Sequence, residues 1–165
     1  GVSARVFGAI LTWMQEKTRP SFVVATGNQV QNLPPELMRA GRFDEVFSTD
    51  LPDAKERLEI LRIHLSRRGR GALGDGAEVI GIAAEMDGFS GAEIESVVVK
   101  AMFSSFSQGR ELEASDLLQA AQVTVPLSET RREEIDAIRR WAQARAVPAS
   151  KSKQPIAITG RRVAL

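Results

Sequence analysis

The sequence predicts an α/β segment followed by an all-helical one. Three observations carry that reading. Phe22-Val23-Val24-Ala25 and Val46-Phe47-Ser48-Thr49 are short β-rich runs, the first unalternated like a strand covered on both faces. After Leu51 the apolar residues recur at helical spacing. With 43% hydrophobic and 26% charged residues over 165 positions, the chain has globular composition and enough length to bury a core.

In chain order, Val6, Phe7, Ile10, Leu11, Trp13 and Met14 form an amphipathic stripe from Val2 to Lys17, with Ser3 as N-cap, and Thr18-Arg19-Pro20 ends it. The Phe22 strand follows. Pro34-Pro35 opens a short helix that Gly41 closes, since proline suits a first helical turn and glycine a helix end. The Val46 strand comes next, and Asp53 caps a helix with Leu58, Leu61 and Leu65 on one face. Residues 68–76 are glycine-rich and basic, a loop. Ala77 to Met86 is a helix. Ser90 and Glu93 form a capping box for the next one, whose apolar side includes Ile94, Val97, Val98, Ala101 and Phe106. Ser115-Asp116 opens a fourth helix of this region and Pro126 closes it. Thr130 to Ala146 is a fifth, with Ile135, Ile138 and Trp141. After Pro148 the Ser/Lys-rich stretch reads as a linker, and Ile156-Ala157-Ile158 and Val163-Ala164-Leu165 as terminal strands or disorder. The segments are therefore 1–50 (α/β), 51–125 (helical), 126–147 (a C-terminal helix) and 148–165 (a tail). Two lone strands make a marginal sheet, so the α/β part reads as incomplete.

Bulk properties exclude several classes. A net charge of +1 gives no field for nucleic acid or membrane, although Arg67, Arg68 and Arg70 cluster, and no aromatic residues interleave with them. The absence of cysteine rules out a disulfide framework and fits a reducing compartment. The longest apolar runs fall far short of the ~18 residues of a membrane span.

Ala25-Thr26-Gly27-Asn28, then Pro34-Pro35-Glu36-Leu37-Met38-Arg39-Ala40-Gly41-Arg42-Phe43-Asp44, then Leu51-Pro52-Asp53 resemble the AAA branch of the AAA+ ATPases. So does Gly88-Phe89-Ser90-Gly91-Ala92-Glu93-Ile94-Glu95. The resemblance covers residues 2–125 and is similar to the branch found in cyanobacteria, algal plastids and other bacteria. It implies the second half of a P-loop α/β nucleotide-binding subdomain, with an incomplete parallel sheet, plus a helical lid.

Residue by residue, the resemblance gives Asn28 the sensor 1 role, where a carboxamide bonds the γ-phosphate or orients the attacking water. A turn asparagine is as good a reading outside the motif. Arg39 and Arg42 match paired arginine fingers, which neutralise phosphoryl charge on a neighbouring subunit's nucleotide. Outside the motif, a surface pair bonding Glu36, Asp44 or Asp50 would be the better account. Ile60 and His64, four apart on one helix, match residues bordering adenine, and Gly91 and Ala92 match the lid turn beside adenine and ribose. Ala92 stands where other AAA+ proteins carry a sensor 2 arginine.

No G-x-x-x-x-G-K followed by Ser or Thr occurs in the sequence, and no apolar strand ends in Asp-Glu. These elements would cradle phosphate and hold Mg²⁺. In the family both precede the helix that begins near Ser3, so Gly1 reads as a cut shortly after them. The chain alone is then expected not to hydrolyse ATP, nor to bind ATP and Mg²⁺ tightly. Its expected partners are the N-terminal half of the same protein, neighbouring subunits of a homo-oligomeric ring (a hexamer) and a protein client. No nucleic acid or membrane is expected, and the expected location is the bacterial cytoplasm or plastid stroma. The competing reading is a non-catalytic interaction module built on the helical lid.

Overall fold

The computed structural model describes residues 2–28, 36 and 43–150. Its elements are α1 (Val2–Glu16), β1 (Phe47–Ser48), α2 (Ala54–Arg67), α3 (Gly71–Gly74), α4 (Ala77–Glu85), α5 (Gly91–Ser107), α6 (Ala114–Gln122), α7 (Leu127–Thr130), α8 (Arg132–Arg145) and β2 (Val147–Pro148). They fall into two units, one drawn from residues 1–48 and 137–149, the other from 49–136 and 150–165.

In the first unit, β1 pairs in parallel with β2, Phe47 opposite Val147 and Ser48 opposite Pro148. The Val147 and Ala149 amides donate to the Val46 and Ser48 carbonyls, each at 2.8 Å. This pairing was not foreseen, because Val147-Pro148 has no strand signal of its own. The expected Phe22 strand is corrected: residues 21–27 have no regular structure, and Phe22 is 97% exposed. A strand covered on both faces needs ladder partners, and among the described residues the one ladder is β1–β2. In α1, Met14 is buried while Val6, Ile10 and Trp13 stay about half exposed. Ser3 lies inside that helix rather than capping it. The expected Pro34 helix and the tail strands at 156–158 and 163–165 lie outside the described residues, apart from Glu36 in a 3₁₀ turn.

The second unit holds a real core. Asp53 caps α2 as expected, and its carboxylate accepts from the Glu56 amide at 2.8 Å while Glu56 accepts from the Asp53 amide at 2.9 Å. Ser90 and Glu93 form the same reciprocal box on α5. Between these caps, Leu61 and Leu65 of α2 meet Ile94, Val97, Val98 and Ala101 of α5, with Val79 and Ile82 of α4 and Leu117 of α6 closing the cluster. Burying each large aliphatic side chain is worth about 1.5–3 kcal/mol.

Two arginines hold the edges of this core. Arg57, buried, donates from Nε to the Ala83 carbonyl (3.0 Å) and from Nη1 to the Pro52 carbonyl (3.1 Å) and Asp87 (2.9 Å). It thereby ties the start of α2 to the end of α4. Arg110 grips Asp116 with two bonds of 2.6 Å, and Asp116 also accepts from the Glu113 amide at 3.0 Å. Helix α6 therefore starts at Ala114, one residue before the expected Ser115. The expected helix from Thr130 to Ala146 is α8, beginning at Arg132, and the one-turn α7 before it, ending at Thr130, was not expected. The basic loop after α2 folds partly into α3.

The Arg110 bonds, with the Glu113 amide, hold the Asp116 carboxyl below the usual carboxylate range against the opposing effect of burial. A depressed folded pKa contributes stability above the unfolded value of ~3.9, and that contribution is lost as pH falls through the folded pKa. Asp116→Asn should therefore cost about 2 kcal/mol near neutral pH. Urea melts over a pH series should show the gap to wild type closing in acid, where the wild-type carboxyl is itself protonated.

Candidate functional site

The residues singled out in the sequence separate into three groups. Asn28 is exposed, in a bend without regular structure. Arg39 and Arg42 lie outside the described residues. Ile60, His64, Gly91 and Ala92 all belong to the helical unit, and the packing of α2 on α5 brings three of them to one edge.

Leu61 and Leu65 point into the core, so the preceding positions, Ile60 and His64, ride on the flank of α2 beside the α5 N-terminus. A Cβ built on Gly91 would lie 3.9 Å from Ile60 Cδ1, an ordinary contact distance. Gly91 also lacks a positive φ. The fold therefore does not require glycine here; the missing side chain leaves space next to an apolar wall. Gly88 is the opposite case. Its φ is +78°, and a Cβ there would run into Ser128 Oγ. That glycine is demanded by packing against α7. Ala92 is exposed on the first turn of α5.

His64, the one histidine of the chain, has a polar setting that periodicity could not reveal. Arg68 Nη1 lies 3.4 Å from His64 Nδ1 and donates to the His64 carbonyl at 3.2 Å. Arg68 Nη2 donates to Glu95 Oε1 at 2.8 Å, and that oxygen stands 3.6 Å from His64 Nδ1. The Arg68 guanidinium, helped by His64, holds the Glu95 carboxyl below its usual range. Glu93 serves two purposes: besides its capping box, its Oε1 accepts from the Leu127 amide at 2.6 Å. Glu95 and Arg68 were not assigned to a site from the sequence. The signal that could have found them is spacing, since Arg68 is one turn beyond His64 and Glu95 one turn beyond Gly91.

The edge thus offers an apolar wall (Ile60), a side-chain-free backbone turn (Gly91) and an imidazole whose Nε2 makes no hydrogen bond among the described residues. Those features suit a flat heteroaromatic ring. They do not suit a cation, because no three His, Asp or Glu among the described residues converge where a metal could bind. Behind Arg68, an open apolar recess of about 300 Å³ is lined by Val99, Met102, Phe103 and Phe106. Phe106, expected on the buried side of α5, is 82% exposed. The buried stripe continues from Ala101 to Ser105 instead. Of the three clustered arginines, Arg68 pairs with Glu95 and Arg70 with Glu111. No helix among the described residues is long and apolar enough to cross a membrane.

A mostly helical chain with a small parallel sheet is consistent with the C-terminal portion of an AAA domain. Residues 1–51 match the family described as "ATPase family associated with various cellular activities (AAA)". The chain belongs to the AAA family of ATPases. It is 43% identical over 142 residues to the AAA domain-containing protein ycf46 of Pyropia yezoensis, covering 86% of this chain and 29% of that protein. To the protein of the same description in Guillardia theta it is 44% identical over 145 residues, covering 87% and 28%. The chain thus spans less than a third of the length of these relatives. The crystal structure of the FIGL-1 AAA domain in complex with ADP superposes with a TM-score of 0.51 at 20% identity, over 68% of this chain and 42% of that one. That likeness concerns the fold.

The two glycines make a paired prediction. Gly88→Ala should destabilise the chain by on the order of 2 kcal/mol, from the left-handed φ and the collision with Ser128. Gly91→Ala should leave stability within about 1 kcal/mol of wild type or raise it slightly, as alanine favours the helix. Thermal melts of the two variants check both.

Proposed function

We propose that this chain supplies the second half of an AAA ATPase active site, working in a ring that couples ATP hydrolysis to protein remodelling or regulation. In this reading Asn28 acts as sensor 1 on its own subunit's nucleotide, and Arg39 and Arg42 act as fingers on a neighbour's. Ile60, His64, Gly91 and Ala92 border the adenine and ribose. Phosphate and Mg²⁺ would be held by a phosphate loop and an acidic strand end that these 165 residues do not include. The proposed partners are therefore the segment carrying those elements, adjacent subunits of a homo-oligomeric ring such as a hexamer, and a protein client. The bacterial cytoplasm or plastid stroma is the proposed location.

The observation that carries this reading is the Ile60–Gly91 edge. A glycine that the fold does not need sits against an apolar wall, next to a histidine with an open ring nitrogen, in a chain of the AAA family. Bound ATP supplies the phosphoryl group; Ile60 would exclude water from one face of its base, and His64 would orient that base. The fingers would stabilise charge as the γ-phosphate transfers, an effect worth ~10³–10⁵ in rate where GTPases use it.

ATPase assays of the full AAA protein carrying Arg39→Ala or Arg42→Ala test the finger role. Turnover should fall by on the order of 10³, and wild-type turnover should depend on protein concentration, as shared sites require. Unchanged, concentration-independent turnover contradicts the reading. Calorimetry on the 165-residue chain should show only weak ATP binding; tight binding would mean that the phosphate is held within it.

A second reading has its own observation. The recess at Val99, Met102, Phe103 and Phe106 leaves two phenylalanines on the surface of the helical unit, as a docking surface for another protein would. In that case Phe103→Ser with Phe106→Ser would abolish partner binding and leave ATP turnover untouched.

A further inference from the structure

We infer that the Arg68–Glu95 pair is a positioning device, holding His64 as its Nε2–H tautomer so that the ring offers one N–H donor to an acceptor nitrogen of a bound purine. The purine part rests on the adenine-side reading proposed above; the tautomer part stands on the geometry alone.

A neutral imidazole carries one ring proton, and the neighbours of each nitrogen decide where it sits. A guanidinium has only N–H groups to present. Arg68 Nη1, 3.4 Å from Nδ1, therefore faces a lone pair comfortably and an N–H badly. Arg68 is held in place at both ends. Its Nη1 donates to the His64 carbonyl at 3.2 Å, and its Nη2 to Glu95 Oε1 at 2.8 Å.

Among the described residues Glu95 is the carboxylate that could draw the proton to Nδ1, but its nearer oxygen is 3.6 Å away and already engaged by Arg68. The pair thus does two things at once: it occupies the competing acceptor and puts a donor against Nδ1. The proton is left on Nε2, the nitrogen without a partner among the described residues. The His64 side chain is only 13% exposed, so its neighbours restrict how the ring can turn. Purine rings carry acceptor nitrogens such as N7 that match an N–H donor.

The single histidine makes the test direct, because only one set of imidazole nitrogens exists. The 165-residue chain labelled with ¹⁵N-histidine is examined by long-range ¹H–¹⁵N correlation at about pH 8.5, well above the usual histidine pKa of ~6.5. Wild type should show a pyridine-type Nδ1 and a pyrrole-type Nε2. Free histidine has the same preference, so the variants decide.

In Arg68→Ala the Glu95 carboxylate is released to accept from Nδ1, and the proton should move there in a large share of molecules. Arg68→Ala with Glu95→Gln should return it to Nε2. Arg68→Gln reads the same change if the alanine variant folds poorly, as judged from amide dispersion. A wild-type Nδ1–H ring, or tautomer populations unmoved in folded Arg68 variants, overturns the inference.

The purine part is read separately. In the full AAA protein Arg68→Ala should raise KM for ATP about fivefold with kcat held. A tautomer change with KM unmoved keeps the positioning role and removes the purine, whereas both unmoved rejects the whole proposal.

Discussion

The contact on which the helical unit depends is the seam between α2 and α5. Leu61 and Leu65 are fully buried there against Ile94, Val97 and Val98. These are apolar side chains held by burial and close packing, and truncating either leucine would leave a cavity as well as lose transfer energy. The seam also places the chemistry. With the leucines fixed inward, helical geometry puts Ile60, His64 and Arg68 one after another along the flank of α2. Opposite them, Gly91 and Glu95 occupy the flank of α5 for the same reason. A site built one residue off a core stripe inherits the rigidity of that core.

Around the seam, polar groups set where elements begin and how they join. Two capping boxes fix the starts of α2 and α5. Arg57 joins the α2 start, where it bonds the Pro52 carbonyl, to the end of α4 through Ala83 and Asp87, and Glu93 joins the α5 start to α7. Each of these groups is satisfied, which is what makes a buried guanidinium tolerable. The 49–136 unit can therefore be a well-determined body on its own. The other unit is drawn from 1–48 and 137–149. An amphipathic α1 with half-exposed Val6, Ile10 and Trp13 and a two-residue ladder describe it.

How much of this was legible in the sequence follows from the range of the forces involved. Asp53 and Ser90 announced their helices because capping is decided within three residues, and the leucine stripe of α2 because burial follows helical period. The Phe22 strand was misread because a β-run is a strand only when a neighbour pairs with it, and pairing is not local. Phe106 was misread because periodicity counts apolar residues, whereas the stripe passes through Ser105. The Val147–Pro148 ladder, Arg57 and the Arg68–Glu95 pair all join residues distant in sequence. Ile60, His64, Gly91 and Ala92 follow from a family motif; that Ile60 and Gly91 approach one another, and that Glu95 and Arg68 frame His64, is decided by how α2 packs on α5.

Native-state hydrogen exchange of the 165-residue chain tests most directly whether the seam is the organising constraint. Amides of α2 and α5 around Leu61, Leu65, Ile94 and Val98 should exchange last, at a rate set by global unfolding, and Leu61→Ala should speed all of them together. Exchange in α5 that is no slower than in residues 21–27, or a Leu61→Ala effect confined to α2, would contradict the account.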